Sequence, residues 1–167
     1  MGLVQVATNT VTSAVASVTL TGIDSDDVYM VAINNMKPAS DGINTYLRVT
    51  KSGTPDTTSN YDRAFKDLRT NTGFGNISST NADHILYDNV GNATGEHFNA
   101  IFYLYNFNNA SEYSFISNET TSSRVDGSSR GRQGGAVHTV ASASDGCNIS
   151  LPTSTIVSGT FTLYRVV

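Results

Sequence analysis

The chain is poor in cysteine and in charged residues. Cys147 is the only cysteine among 167 residues, so the chain cannot form an internal disulfide. A chain of this length buries enough surface to fold without one, and a lone thiol suits a reducing compartment. Charged residues make up 14% of the chain, against about 25% in typical globular domains. The polar surface is therefore expected to consist mainly of hydroxyl and amide groups.

The charge balance is mildly acidic, with a net charge of −4 and an isoelectric point near 5.1. A general nucleic-acid surface needs a dense field of Lys and Arg, which this composition does not supply. No apolar run approaches the roughly 20 residues of a membrane-spanning helix, and the first residues do not form a signal peptide. We therefore expect no nucleic-acid partner, no membrane association and no export signal.

Motifs for catalysis and metal binding are also lacking. His84, His97 and His138 have no zinc-ligand spacing, and the chain contains no G-x-S-x-G elbow and no phosphate-binding loop. The aspartates of "IDSDD", at positions 24, 26 and 27, fit either a solvated turn or part of a calcium loop, and the missing distal Glu favours the turn. We predict a protein that is not an enzyme and that uses no cofactor and no metal.

The residues that are abundant, Ser, Thr, Asn and Gly, favour strands joined by turns. "INTYLRVTK", residues 43–51, alternates apolar and polar positions with the period of a half-buried strand. Turn signals recur at a spacing of roughly 8 to 12 residues along the chain. This pattern predicts an all-β, single-domain β-sandwich or jelly roll over residues 1–167, with about nine to ten short antiparallel strands.

Several segments carry more specific expectations. "YDRAFKDLR", residues 61–69, fits a short helix and a distorted strand about equally, and residues 70–83 read as loop. "HFNAIFYLYNF", residues 97–107, is apolar at both alternating sets of positions, which indicates a central strand or a strand whose second face meets another subunit. The terminal "SGTFTLYRVV" alternates as a strand, and we expect it to pair near the N-terminal residues.

A basic segment follows the most apolar part of the chain. "ETTSSRVDGSSRGRQGG", residues 119–135, reads as a long Gly/Ser/Arg loop that contains Arg124, Arg130 and Arg132. One interpretation is a solvated, flexible loop. The other is an arm that binds an acidic partner, because guanidinium groups pair bidentately with carboxylates. The sequence leaves both interpretations open, and these three arginines are the candidate partner-binding residues.

The segments "SVTLTGIDSDDVYMVAINNMKPASDG", "SNYDRAF", "FYLYNFNN", "SSRVDG" and "SGTFTLYRVV" together resemble a family of small virion structural proteins of marine tailed bacteriophages, of the cyanophage and pelagiphage kind. The most specific pieces are Thr21 to Asp24, Pro38 to Asp41 and Ser158 to Tyr164. Two features depart from the family pattern: "SGTPDTTSNY" lacks a double glycine, and Arg165 stands where glycine is usual.

This resemblance implies a β-sandwich or jelly-roll module on the outer capsid surface of the virion, assembled in the host cytoplasm. The expected role is a capsid decoration, or cement, protein that binds the major capsid protein as a homo-oligomer, with a trimer favoured. The alternative is a tail- or head-fibre module that binds a host cell-surface glycan, for which Tyr29, Tyr46, Tyr61 and Tyr87 are candidates. A fibre subunit usually has a long N-terminal shaft or docking region, so a strand expected within a few residues of Met1 favours the decoration role.

Overall fold

The computed structural model describes residues 2–167 of the chain, with the side chains of residues 86–88 excepted. Its secondary structure consists of strands joined by turns and loops. The strands are β1 (Leu3–Val11), β2 (Ser17–Thr21), β3 (Tyr29–Pro38), β4 (Ile43–Lys51), β5 (Thr54–Pro55), β6 (Tyr61–Arg69), β7 (Gly73–Ala82), β8 (Ile85–Val90), β9 (Phe98–Tyr105), β10 (Ser114–Ser123), β11 (Ser129–His138), β12 (Gly146–Ser150) and β13 (Ile156–Val166).

The strands form two antiparallel sheets. The large sheet has eight strands in the order β1-β13-β3-β9-β10-β11-β6-β7. The small sheet has the order β2-β12-β4-β5, and β8 also pairs with β4. The predicted all-β class is confirmed, and two sheets that share one core are consistent with the predicted sandwich. The number of strands exceeds the nine to ten expected, because several segments that read as loop are strands.

The core follows from the period-two alternation of the strands. In β4, Thr45, Leu47 and Val49 are buried, as the alternation in the sequence predicted. One hydrophobic cluster joins the small sheet, represented by Leu47, to the large sheet, represented by Phe102 and Phe161. Burial of these apolar side chains is the main favourable term that holds the two sheets together.

The two ends of the chain lie side by side in the large sheet. β1 and β13 are antiparallel, with Leu3 opposite Val166 and Val11 opposite Gly159. Beyond the strands, the backbone N–H of Val167 donates to the carbonyl of Gly2 at 2.9 Å. The expectation that the terminal strand pairs near the N-terminal residues is confirmed.

Two expectations for residues 61–83 are resolved by the large sheet. Residues 61–69 form strand β6, so the helical alternative is wrong. The prediction of a loop over 70–83 is also wrong, because Gly73–Ala82 pairs along β6 as the edge strand β7. An edge strand of this kind is hard to recognise, because most of its side chains are polar, small and at least partly exposed.

The predicted Gly/Ser/Arg loop over 119–135 is wrong as well. These residues belong to the β10–β11 hairpin, in which Ser123 lies opposite Ser129 and residues 124–128 make the turn. Gly134 shows why glycine occurs inside a strand here. A Cβ at this position would collide with the carbonyl oxygen of Ala64 and lie 2.8 Å from the Cα of Phe65 on the neighbouring strand. β11 ends at His138.

Candidate interaction surface

The large sheet buries one face in the core and leaves much of the other open to solvent. In β9, Phe98, Ala100, Phe102 and Leu104 point into the core, whereas Ile101 is 42% exposed. In β10, Ile116 is buried and the adjacent Phe115 is 46% exposed. β9 is a central strand of the large sheet, between β3 and β10, as one interpretation of the segment 97–107 predicted, but its outward face is not buried within this chain. The other interpretation, a second face that meets another subunit, remains a prediction.

The outward side chains of neighbouring strands line up in rows across the sheet. We call these residues of β9, β10, β11, β6 and β7 the outer face. The central row contains Ile101, Glu119, Gln133, Lys66 and Asn76, and the next row contains Tyr103, Ser117, Gly135, Ala64 and Ser78. A third row begins with Tyr105, Phe115, Val137 and Asp62, and a fourth contains Asn99, Thr121, Gly131, Leu68 and Phe74.

A shallow groove lies in the outer face where small side chains adjoin the aromatic ones. Its volume is about 730 Å³, and its lining includes Ala64, Ser78, Gly135, Tyr105, Phe115 and Val137. Phe115 and Val137 form an apolar wall, and the small residues form the floor. A contiguous exposed apolar surface on a soluble protein marks a site of interaction with a partner or ligand.

The polar groups of the outer face are engaged in short local hydrogen bonds. The amide Nε2 of Gln133 donates to Oε1 of Glu119 at 3.0 Å, and Nζ of Lys66 donates to Oδ1 of Asn76 at 3.1 Å. These bonds fix the positions of one carboxylate and one ammonium group, and a second carboxylate, that of Asp62, accepts a hydrogen bond from the backbone N–H of Asn81 at 2.9 Å.

The three candidate arginines lie in two different environments. Arg124 is in the hairpin turn, where its Nη1 lies 3.3 Å from Oδ2 of the exposed Asp126. Arg130 and Arg132 are instead inward residues of β11, only 4% and 2% exposed. Binding of an acidic partner by these residues stays a prediction, but a solvated basic arm is not what the structure contains.

The carboxylate that the two buried arginines contact belongs to the chain itself. Nε of Arg130 lies 3.0 Å and Nε of Arg132 lies 3.4 Å from Oδ1 of Asp67, and Nε of Arg69 donates to its Oδ2 at 2.6 Å. Burial by itself would raise the pKa of Asp67. The hydrogen bond from Arg69 and the charges of Arg132 and Arg130 outweigh that effect and hold the pKa below its ordinary value. Asp67 is therefore an ionised, structural group.

Two of the three histidines are paired with carboxylates on the side of the small sheet. Nε2 of His138 lies 2.7 Å from Oδ2 of Asp56, and Nδ1 of His84 contacts Asp83. Burial would raise the pKa of Asp56, but hydrogen bonds from Thr58 and His138 lower it well below the ordinary value. For His84, burial lowers the pKa more than the neighbouring Asp83 raises it. Both histidines are packed against tyrosines, His138 against Tyr61 and His84 against Tyr46.

The aspartates of "IDSDD" hold the turn before β3 together. The hydroxyl of Tyr29 donates to Oδ1 of Asp24 at 3.1 Å, and Oγ of Ser25 donates to Oδ2 of Asp27 at 2.7 Å. Asp26 accepts a hydrogen bond from the side chain of Asn109 at 3.1 Å. Among the described residues, no group of three or more His, Cys, Asp or Glu side chains is arranged to hold a metal ion.

The tyrosines named for a glycan site are mostly unsuited to it. Tyr29 and Tyr61 are fully buried, which overturns their assignment as surface residues. Tyr46 stacks on His84 with ring centroids 3.5 Å apart, and the side chain of Tyr87 lies outside the described residues. The exposed rings, Tyr105 and Phe115, were not singled out from the sequence. The signal for Tyr105 was the apolar character of both alternating sets in 97–107, a run that does not include Phe115.

Comparison with known protein families and with curated proteins does not test the resemblance to phage virion proteins. No protein-family profile matches the chain, and no curated protein matches it either. The described part of the chain contains no helix long and apolar enough to cross a membrane.

Proposed function

We propose that this chain is a bacteriophage virion structural protein, a decoration protein on the outer capsid surface that binds the major capsid protein and stabilises the shell. It acts by binding and performs no chemistry. The proposal places it on the virion after assembly in the host cytoplasm, where the buried, unpaired Cys147 stays reduced.

The observation that supports this function best is the outer face of the large sheet. It combines exposed Ile101, Tyr105 and Phe115 with a groove of about 730 Å³. Monomeric soluble proteins rarely leave such a surface without a partner. The resemblance of the turns and the last strand to small virion proteins supplies the biological setting.

The mechanism follows from mass action. A protein that binds the assembled shell, but not its separated subunits, stabilises the shell by a free energy that grows with occupancy. Each single contact can be weak, because an oligomer that presents several identical binding surfaces binds much more tightly than one subunit alone. A rigid sandwich suits this role because its surfaces keep their geometry on binding.

The proposal is tested by adding the purified protein back to particles that lack it. Saturable binding, followed by a rise in the temperature at which the shell opens, is the expected result. The matched control is an unrelated β-sandwich protein of similar size and charge at the same concentration. Particles that neither bind the protein nor change their opening temperature would rule out decoration.

The second candidate is a tail- or head-fibre module that binds a host cell-surface glycan. The specific observation in its favour is the pair of exposed rings, Tyr105 and Phe115, beside a floor of small residues. Sugar rings pack on aromatic side chains, and adjacent hydroxyl and amide groups bind their hydroxyls. Binding to a glycan array that is lost in Phe115→Ser would favour this candidate, and an array without signal would exclude it.

A further inference from the structure

We propose that the outer face binds the outer face of a second copy of this chain, which makes the protein a two-fold symmetric dimer in place of the trimer that the resemblance favoured. The inference deepens the proposed function and rests on it for its biological role: the partner that covers the outer face is a second copy, and the dimer binds the capsid through its remaining surfaces. Its physical basis is the distribution of charge and side-chain size about strand β11. When two copies stack face to face, the charges are self-complementary in the central row and the side-chain sizes are self-complementary in three rows, whereas in the third row Phe115 meets Asp62.

The charges provide the first argument. Glu119 on β10 and Lys66 on β6 are both exposed, and they lie in the central row on opposite sides of Gln133 on β11. Their backbones are two strand spacings apart, about 10 Å. Within the described part of the chain, each hydrogen-bonds to a neutral amide, of Gln133 or Asn76, and neither forms a salt bridge.

A two-fold axis that runs parallel to β11 between two facing sheets exchanges the β10 side with the β6 side. It places Glu119 of each copy opposite Lys66 of the other. The two charges, which form no ion pair with each other in the described part of the chain, then form two equivalent ion pairs in the dimer, on either side of Gln133. Such charge complementarity sets the register and orientation of an interface.

The sizes of the side chains provide the second argument. In three rows, the larger residue on one side of β11 faces a smaller one on the other side, as the pairs Tyr103 with Ser78, Ile101 with Asn76, and Phe74 with Asn99 show. The two-fold axis places each residue of a pair opposite the other residue of that pair in the second copy. Bulky side chains of one copy therefore fill the space above small side chains of the other. Interdigitation of this kind gives sheet packing its density.

Strand β11, which lies along the two-fold axis, allows the two sheets to approach each other closely. The outward positions of β11 are Ser129, Gly131, Gln133, Gly135 and Val137, so two of the five lack a side chain. Stacked sheets pack about 10 Å apart with their strands nearly aligned. The groove beside Gly135 then closes against the partner and becomes part of a buried interface.

A reciprocal charge exchange tests this geometry with the purified full-length chain. Analytical ultracentrifugation should show a dimer for the unmodified protein. Lys66→Glu or Glu119→Lys alone should raise the dissociation constant at least about tenfold, because each places like charges opposite one another twice in the dimer. The double variant Lys66→Glu/Glu119→Lys should have a dissociation constant within about threefold of that of the unmodified protein, because both ion pairs form again with reversed sign.

The control is Lys51→Glu, which makes the same charge change at an exposed residue of the small sheet and should leave the dissociation constant unchanged. Circular dichroism checks that each variant is folded. A monomer, a trimer, or a dimer that is indifferent to both single variants would overturn the proposal. Because no capsid is present, failure here leaves the add-back result untouched, and failure of decoration leaves the dimer intact.

Discussion

Nε of Arg130 lies 3.0 Å from Oδ1 of Asp67, across the pairing of β11 with β6. Both side chains are almost completely removed from solvent. A buried carboxylate and a buried guanidinium are each costly alone, and the contact between them offsets that cost. The glycine- and arginine-rich stretch of the sequence is therefore part of the folded interior, and its charges have a structural role.

Replacing Asp67 with Asn should strongly destabilise the protein. The variant removes the negative charge that Arg69, Arg130 and Arg132 contact, and breaking a buried pair from one side costs about 3 to 5 kcal/mol of unfolding free energy. Urea unfolding followed by circular dichroism measures this loss. Asp126→Asn is the matched control, because Asp126 pairs with Arg124 at an exposed turn, and its unfolding midpoint should stay near that of the unmodified protein. Equal effects of both variants would contradict this role for Asp67.

The pH dependence of the unfolding free energy should show the contribution of the Asp67 carboxylate. The pKa of Asp67 is lower in the folded protein than in the unfolded chain. Its contribution is therefore complete above the unfolded pKa of about 3.9 and is lost as the pH falls through the folded pKa. The stability difference between the unmodified protein and Asp67→Asn should be constant above about pH 5 and shrink below about pH 4. A stability difference between the two proteins that grows as the pH falls would contradict this prediction.

Gly134→Ala should also destabilise the protein. The added methyl group would collide with the backbone of Ala64 and Phe65, so neighbouring strands must shift. Overpacking of this kind costs about 1 to 3 kcal/mol. Gly131→Ala, in the same strand, is the control, because its Cβ would meet the carbonyl of Thr120 at 3.4 Å and make ordinary contacts with Leu68. Thermal unfolding of the two variants should differ, and equal midpoints would contradict the steric argument.

The thiol of Cys147 should be unreactive in the folded protein. It is 1% exposed, and burial raises its pKa to about 12. Because the thiolate is the nucleophile, iodoacetamide at pH 8 should label the native chain very slowly and the urea-unfolded chain quickly. Mass spectrometry of the alkylated protein gives both rates. Rapid labelling under native conditions would show that β12 opens readily.

The sequence pattern predicts a strand correctly where the buried positions of that strand are apolar. Leu47 and Val49 in β4 alternate with polar residues, and the pattern predicts that strand correctly. The two end strands carry the same signal and pair as expected. The all-β class follows from such segments.

The same reasoning fails where a strand reverses the usual pattern. In β6 the inward positions include Tyr61, Phe65 and the buried Asp67, whereas Leu68 is outward and 37% exposed. Tyr61 and Phe65 are four residues apart, a spacing that satisfies both a helix and a strand. Two of the partners of Asp67, Arg130 and Arg132, lie on the distant strand β11, and no local pattern reveals them.

The outer face was only partly predictable for a related reason. The two-sided apolar run of 97–107 indicated a second covered face, but the register across β10, β11, β6 and β7 decides which residues share a row. That register depends on pairings over long sequence separations, including strands that read as loop. The opposition of Glu119 and Lys66 about Gln133 therefore becomes visible only in the folded sheet.

The most direct test of the proposed role is the copy number of this protein in purified virions relative to the major capsid protein, by quantitative mass spectrometry. A decoration protein should be present in an amount close to stoichiometric with the capsid subunit. A copy number that matches only the symmetry of the tail, or absence from the particle, would contradict decoration.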